Sequence, residues 1–285
     1  MSTFSHLSTH SHYSLLDGLP QIGPLVKAAI YFGMPAIALT DRNNLYGAIE
    51  FYKLCTKEKI KPIIGVDLDV SFSGAEGRLI LIAENEMGYR NLLKLVSSAH
   101  LEGTNGPRAR ETHIKEFGKG LIALIPDSFL VSGGESMVDT LKEALGKENV
   151  YARVGWSGGK ETQIKTVGLA SALKIKLVAS DDTYYLKPED KDARDIVRRI
   201  ADPGALADSF DRAFASPDTL AERYRSFPDA IQGMEETVER ATLTLELGSW
   251  VFPKFPIKSG TTYERELEAL TATGLKQKGL KGEQV

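Results

Sequence analysis

The stretch HLSTHSHYSLLDG, His6 to Gly18, brings three of the chain's five histidines close to an aspartate, Asp17. Imidazoles and carboxylates together are ligands for borderline and hard divalent cations. A cluster of such ions would polarise a phosphate ester and supply a hydroxide nucleophile. More acids follow. Of seven segments that read as strands, five close on polar and mostly acidic residues: His10, the pair Asp41-Arg42, Asp67 with Asp69, Asp127, and the pair Asp181-Asp182. Taken singly, each aspartate has an ordinary reading as a helix cap or turn former. Taken with His10 and Asp17, they read as one rim. The histidines argue against a polynuclear cage. Even spacing on a strand would set His6, His10 and His12 on one face, too local to surround several ions. His12 reads as solvated or hydrogen-bonded, with substitution for a lost ligand as the sharper alternative. His100 ends a helix, where it meets the negative end of the dipole. His113 follows a charged stretch and reads as a surface residue.

The elements that must carry these residues alternate. Strands are expected around His6–His10, Pro35–Asp41, Lys61–Val70, Arg78–Glu84, Gly120–Asp127, Val150–Trp156 and Lys176–Asp182. Between them lie QIGPLVKAAIYFG, LYGAIEFYKLCTKEK, EMGYRNLLKLVSSAH, SMVDTLKEALG and KETQIKTVGLASALK, whose apolar residues recur at three and four, as on an amphipathic helix. Strand–helix alternation predicts parallel strands joined by crossover helices. The pattern fits a closed or nearly closed α/β barrel better than the alternative, a doubly wound sheet. In a barrel, functional side chains sit at the carboxyl ends of strands, where the acids fall. Beyond Asp182 the pattern changes to helices opened by Pro or Ser/Asp, then the proline- and aromatic-rich SWVFPKFPIKSGTTY, then a last helix in TYERELEALTATGLKQKG. This reading places a barrel over residues 1–200 and a helical extension and linker over 201–285. The chain reads as cut from something longer.

Composition bounds the rest. The 285 residues are 42% hydrophobic and 26% charged, with net charge −3, an ordinary globular profile. Bulk charge does not advertise nucleic-acid binding. The local basic runs GPRAR (Gly106–Arg110) and DIVRRI (Asp195–Ile200) read first as solvated faces and second as phosphate contacts. The single cysteine, Cys55, excludes an internal disulfide and fits a reducing compartment. No apolar run reaches the roughly 18 residues of a membrane span, and the start lacks a signal-peptide pattern. A cytoplasmic protein with no membrane partner is expected.

The segments HLSTHSHYSLLDG, GMPAIALTDRNNLYGAIEFYKLCTKEKIKPIIGVDLDV, LILIAENEMGYRNLLKLVS and LVASDDTYYLKPEDKDA, in that order, resemble the PHP (polymerase and histidinol phosphatase) domain of bacterial replicative DNA polymerase III α subunits. LTLELGSWVFPKFPIKSGTTYERELEALTATGLK resembles the segment leading on to the polymerase palm. The resemblance implies a distorted seven-stranded (β/α)7 barrel. It also implies about nine metal ligands in metal-binding members, and these can be compared one at a time. His10 and Asp17 are kept, Asp67 stands for a glutamate, Asp127 stands for a cysteine, and Asp182 is kept. Four imidazole positions are lost, to Ser8, Arg42, Asn105 or Gly106, and Tyr184. Arg42 would bring a fixed cation to the rim, with Asp41, Asp67 or Asp182 as partners. The site is therefore expected to be degenerate, with no cofactor or at most one residual zinc, manganese or magnesium ion. The implied role is a non-catalytic scaffold for the remainder of the polymerase α subunit that also docks the separate proofreading exonuclease subunit, and DNA is reached through the full-length, DNA-directed polymerase. The alternative is a residual metal-dependent phosphoesterase or 3′–5′ exonuclease using His10, Asp17, Asp67 and Asp182.

Overall fold

A computed structural model describes residues 4–72, 75–103, 106–248, 255–257 and 259–279. Its strands are β1 (Ser8–Thr9), β2 (Ala36–Leu39), β3 (Lys61–Phe72), β4 (Ala75–Ala83), β5 (Ala109–Arg110), β6 (Leu121–Ile125), β7 (Val150–Val154), β8 (Lys176–Ala179) and β9 (Asp182–Thr183). Its helices are α1 (Ile22–Tyr31), α2 (Ala48–Glu58), α3 (Glu86–Glu102), α4 (Glu111–Phe117), α5 (Asp127–Val131), α6 (Met137–Leu145), α7 (Gly159–Leu173), α8 (Lys191–Ala201), α9 (Pro217–Arg223), α10 (Pro228–Arg240) and α11 (Tyr263–Gln277).

The main sheet runs β2-β3-β4-β6-β7-β8, and β5 adds to β3. It curls until its ends meet through β1. Ala38 N–H donates to His6 O and Thr40 N–H to Thr9 O, each at 2.9 Å, while Ser8 and Thr9 pair with Asp182 and Thr183 of β9, just beyond β8. The result is an α/β barrel of seven strand positions, distorted where β1 and β9 are only two residues long. The expectation of parallel strands throughout is corrected at β4, which runs antiparallel to both β3 and β6. Phe72 pairs with Ala75, so two residues join β3 to β4, and a connection that short permits only a hairpin. Beyond Ile64 the pairing with β2 ends, and β3 continues with β4 as an arm above the rim.

The barrel is filled by residues such as Ile63, Ile80, Ile82, Ile122, Leu124, Tyr151 and Val178, all at most 1% exposed. Helices cover it with apolar stripes. In α1 the buried residues are Ile22, Leu25, Val26 and Ala29, at the spacing of one helical face. Two helices approach the strands closely enough to require glycine. A Cβ on Gly88 would lie 1.9 Å from Gly120 O, and one on Gly233 would lie 1.9 Å from Leu177 O. The N-terminus of α3 is capped by Asn85, whose side chain accepts from Gly88 N–H at 3.1 Å.

The chain divides into two compact units, residues 1–245 and 246–285. Residues 201–245 belong to the first, with Leu220, Tyr224, Ala230 and Met234 buried in its core. In the second, Thr262 caps α11 by accepting from Arg265 N–H at 3.4 Å, and Glu264 and Glu266 occupy its first turn, where negative charge meets the positive end of the helix dipole. Seven of the fifteen residues of the expected extended stretch SWVFPKFPIKSGTTY, 249–254 and 258, lie outside the described residues.

Candidate functional site

The carboxyl ends of the strands open onto a cavity of about 790 Å³. Asp17, Asp67, Asp127, Asp182, Arg42 and Tyr184 all line it. Each aspartate has its own set of partners. Asp182, the first residue of β9, accepts from Ser8 Oγ at 2.7 Å, from both Nη atoms of Arg153 (Nη2 at 3.2 Å) and from Arg212 Nη1 at 3.0 Å. Burial opposes its ionisation, but Arg153 and Arg212 outweigh burial and hold its carboxyl well below the usual range. The same carboxylate raises both guanidinium groups against the opposing effect of their burial. Asp67 lies within β3, on the hairpin arm, rather than at a strand end. Arg78 of β4, diagonally across the pair, donates Nε to it at 3.0 Å and also brings Nη2 against it. Asp17 accepts from Arg194 Nη2 at 2.7 Å, and its backbone carbonyl accepts from Arg194 Nε at 3.2 Å. Asp127 stands 3.8 Å from Arg153 Nη2 and accepts from Ser128 N–H, the next residue in the first turn of α5, at 2.8 Å. Its Oδ2 is buried without a partner, as is Arg153 Nε.

His10 is fully buried. Its Nε2 faces Asp67 at 3.1 Å, its Nδ1 faces Thr183 O at 3.3 Å, and its ring stacks flat on Tyr184 with centroids 4.1 Å apart. Burial pushes its pKa down to about 4, against the pull of Asp182, which leaves a neutral imidazole at neutral pH. Tyr184, where the resemblance expected a histidine, accepts from Arg78 Nη2 at 3.1 Å, and Arg194 lies over its ring at 3.8 Å. Ser8, another such position, is buried on Asp182. Asn105 lies outside the described residues, and Gly106 takes the left-handed conformation at φ +96°. Among the described residues, no three or more His, Cys, Asp or Glu side chains are grouped so as to share one ion.

Several expectations are corrected. Arg42 pairs with neither Asp41, Asp67 nor Asp182. Its side chain is 42% exposed and reaches Asp69 at 3.4 Å. Asp41 is instead satisfied by Ser11 N–H, Ser11 Oγ and Ser14 Oγ at 2.6–2.7 Å, so a hydroxyl cage leaves it no need of a cation. His6, His10 and His12 share no face, because β1 covers only Ser8–Thr9 and the chain turns at Ser11. His6 is buried on Ala215 O at 3.0 Å and on the Phe214 ring, whereas His12 is exposed against Tyr13. His113 is buried, not at the surface. It accepts from Arg110 N–H and faces Glu102, each at 3.2 Å. His100 Nε2 donates to Asn43 O at 2.7 Å. In the run GPRAR, Arg108 pairs with Glu76 and Arg110 with Glu102.

The sequence reading missed Arg78, Arg153, Arg194 and Arg212. One signal was available: Arg153 is a lone charge inside VYARV, a strand buried at every position, and a buried charge requires a partner.

The (β/α) barrel with its polar rim defines a class, and residues 6–152 match the PHP domain; the chain belongs to that family. Over 97% of its length it is 32% identical to the DNA polymerase III subunit alpha of Pseudomonas fluorescens, of which it covers 26%. Against the same subunit of Escherichia coli K12 it is 32% identical, covering 89% of this chain and 24% of that one. The chain thus spans about a quarter of the length of these relatives. Among solved structures, an amidohydrolase from Chromobacterium violaceum overlays with TM-score 0.49 at 14% identity, covering 63% of this chain and 87% of that one. No helix among the described residues is long and apolar enough to cross a membrane.

Proposed function

We propose that this chain acts as the N-terminal PHP region of a bacterial replicative polymerase α subunit, and that its rim is a charge-paired remnant instead of a metal centre. The region serves as a scaffold for the remainder of the subunit and as a docking site for the separate proofreading exonuclease. One observation carries the reading of the rim. The four aspartates at ligand-type positions, Asp17, Asp67, Asp127 and Asp182, each stand within 4 Å of a guanidinium group. The donor set does not fit a polynuclear site, because an ion among these carboxylates would meet Arg78, Arg153, Arg194 and Arg212 at contact range, and the His10 imidazole is fully buried between Asp67 and the Thr183 carbonyl, one of which takes its single N–H. A region without metal chemistry of its own would leave proofreading to a partner. The relatives' name and the length of the match support the assignment to a polymerase subunit.

The test of the rim is elemental analysis of the purified chain after dialysis against zinc and manganese without chelator. A near-zero stoichiometry is expected. Two or three ions per chain would overturn this reading in favour of a metal-dependent phosphoesterase. Docking is tested by pull-down of the cognate exonuclease subunit, where absence of binding defeats that half of the proposal.

A further inference from the structure

The part of the cavity wall contributed by Arg194, Arg198, Asp202, Asp208 and Phe210 comes from a single excursion of the chain. Its two ends are sewn together. Tyr184 N–H donates to Arg212 O at 3.0 Å, Phe214 N–H donates to Tyr185 O at 2.9 Å, and Arg212 N–H donates to Tyr185 Oη at 2.8 Å. Tyr185 and Phe214 fix this neck in the interior, at 0% and 6% exposure, and Phe214 stacks on Phe32 and packs at a tilt against His6. Residues 186–211, between the two sides of the neck, are held differently. The buried residues among them are Arg194 and Asp195, both charged, while Ile196, Ile200 and Leu206 are 61–86% exposed. At the neck, Arg212, itself on Asp182, also holds Asp208, and Tyr185 Oη donates to Asp211 at 3.1 Å; beyond the neck the tie to the barrel is Arg194. It contacts the Asp17 carboxylate, the Asp17 carbonyl and the Tyr184 ring, and within the excursion it also holds Asp208 at 3.0 Å. Arg198 stands further off, 3.9 Å from Asp17.

We propose that residues 186–211 form a lid over the rim cavity, hinged at the Tyr184–Tyr185/Arg212–Phe214 neck and latched by Arg194 on Asp17 and Tyr184. Lifting the lid uncovers little apolar core, since none of its apolar side chains is fully buried and only Leu186, beside the neck, packs against the core cluster. The opening energy is therefore set by a few charged contacts, and segments attached in this way open sub-globally ahead of the rest. The neck stays closed because its anchors are aromatic and buried. Opening would admit solutes to the guanidinium and carboxylate groups of the rim, and the lid rather than the barrel would control access. The inference rests on Asp17 being held by Arg194, as in the reading of the rim above.

Hydrogen exchange read by mass spectrometry on the full chain tests it, at low salt and at roughly 1 M salt, where the screening length falls to about 3 Å. Amides of α8 and of the segment to Asp208 are expected to exchange about tenfold faster in Arg194→Gln, the loss of one charge-assisted contact, and by a smaller factor at high salt, because the buried Arg194–Asp17 pair is screened less than an exposed one. Amides of α10 and β7 should keep their rates, and Arg194→Lys should fall between the two. If the lid amides ignore salt and Arg194→Gln, or if they exchange only together with α10 at the global rate, the lid does not exist. Bound metal in the wild-type chain would defeat the reading of the rim separately, because the exchange experiment is run on metal-free protein.

Discussion

Arg153→Met removes the cation with the most to hold. Methionine keeps the unbranched stem and most of the volume, so packing changes little while the charge is lost. In the wild-type chain the Arg153 guanidinium, at 5% side-chain exposure, donates to both oxygens of Asp182 and lies 3.8 Å from Asp127. After the substitution Asp182 keeps Arg212 and Ser8, and Asp127 keeps the Ser128 N–H. Breaking a buried ion pair from one side typically costs about 3–5 kcal/mol, because the other charge is left uncompensated. Arg212 survives as a partner, which sets the expected loss near the lower end, about 3 kcal/mol. For a unit of this size that corresponds to a fall in Tm of roughly 6–12 °C. Urea unfolding followed by circular dichroism measures the loss, and the double variant Arg153→Met/Asp182→Asn completes a cycle. Removing both partners leaves no orphaned charge between them, so the double variant should recover at least about 1 kcal/mol relative to the sum of the singles. A loss below about 1 kcal/mol for Arg153→Met, or strict additivity in the cycle, would refute the claim that arginines neutralise this rim.

Acid should weaken the fold in two stages. The unfolded chain protonates His10 near 6.5 whereas the folded chain resists until about 4, so the stability from His10 is complete above about pH 6.5 and falls by roughly 3 kcal/mol as the pH drops to 4. Asp182, held low in the folded state, adds a further loss as the pH falls below the ordinary aspartate range. Urea midpoints measured from pH 7 to pH 3 check both stages, and a flat profile between 7 and 4 contradicts a neutral buried His10. Gly233→Ala should destabilise by about 3 kcal/mol or more, above most overpacking, because the new Cβ meets the backbone carbonyl of Leu177 at 1.9 Å. Gly168→Ala, in α7 with nothing within 4 Å of a Cβ, should instead stabilise by about 0.5–1 kcal/mol; thermal melts of the pair separate the two cases. Chelator treatment of the purified chain should leave Tm unchanged, whereas a drop of several degrees would reveal a bound ion linked to folding.

The strands were legible because each is a short β-branched run bounded by turn formers, and all seven expected segments overlap a strand of the barrel. The reversal at β4 was missed because the third and fourth strands were expected to stop at Val70 and start at Arg78, a gap wide enough to hide their connection. In fact β3 reaches Phe72 and β4 begins at Ala75. Ser-Gly between two alternating runs is a hairpin signal, and it also explains why Asp67 lies in mid-strand.

The composition of the rim was harder to read, for a physical reason. A ligand position is recognised by its own residue type, so the resemblance could list which imidazoles are absent. The charges that neutralise the remaining carboxylates obey no such positional rule. A guanidinium at the end of a long side chain reaches the same point from a diagonal strand position, as Arg78 does, from the barrel interior, as Arg153 does, or from a helix outside the barrel, as Arg194 does. Arg42, the one cation that did stand in a ligand position, turns outward to Asp69, because Asp41 beside it is already saturated by three hydrogen-bond donors from Ser11 and Ser14. The carboxylates, not the vacated imidazole positions, are therefore the better guide in such a sequence. Each retained aspartate demands a buried cation or a cage of donors, and arginines inside otherwise apolar strands are where to look for the cations.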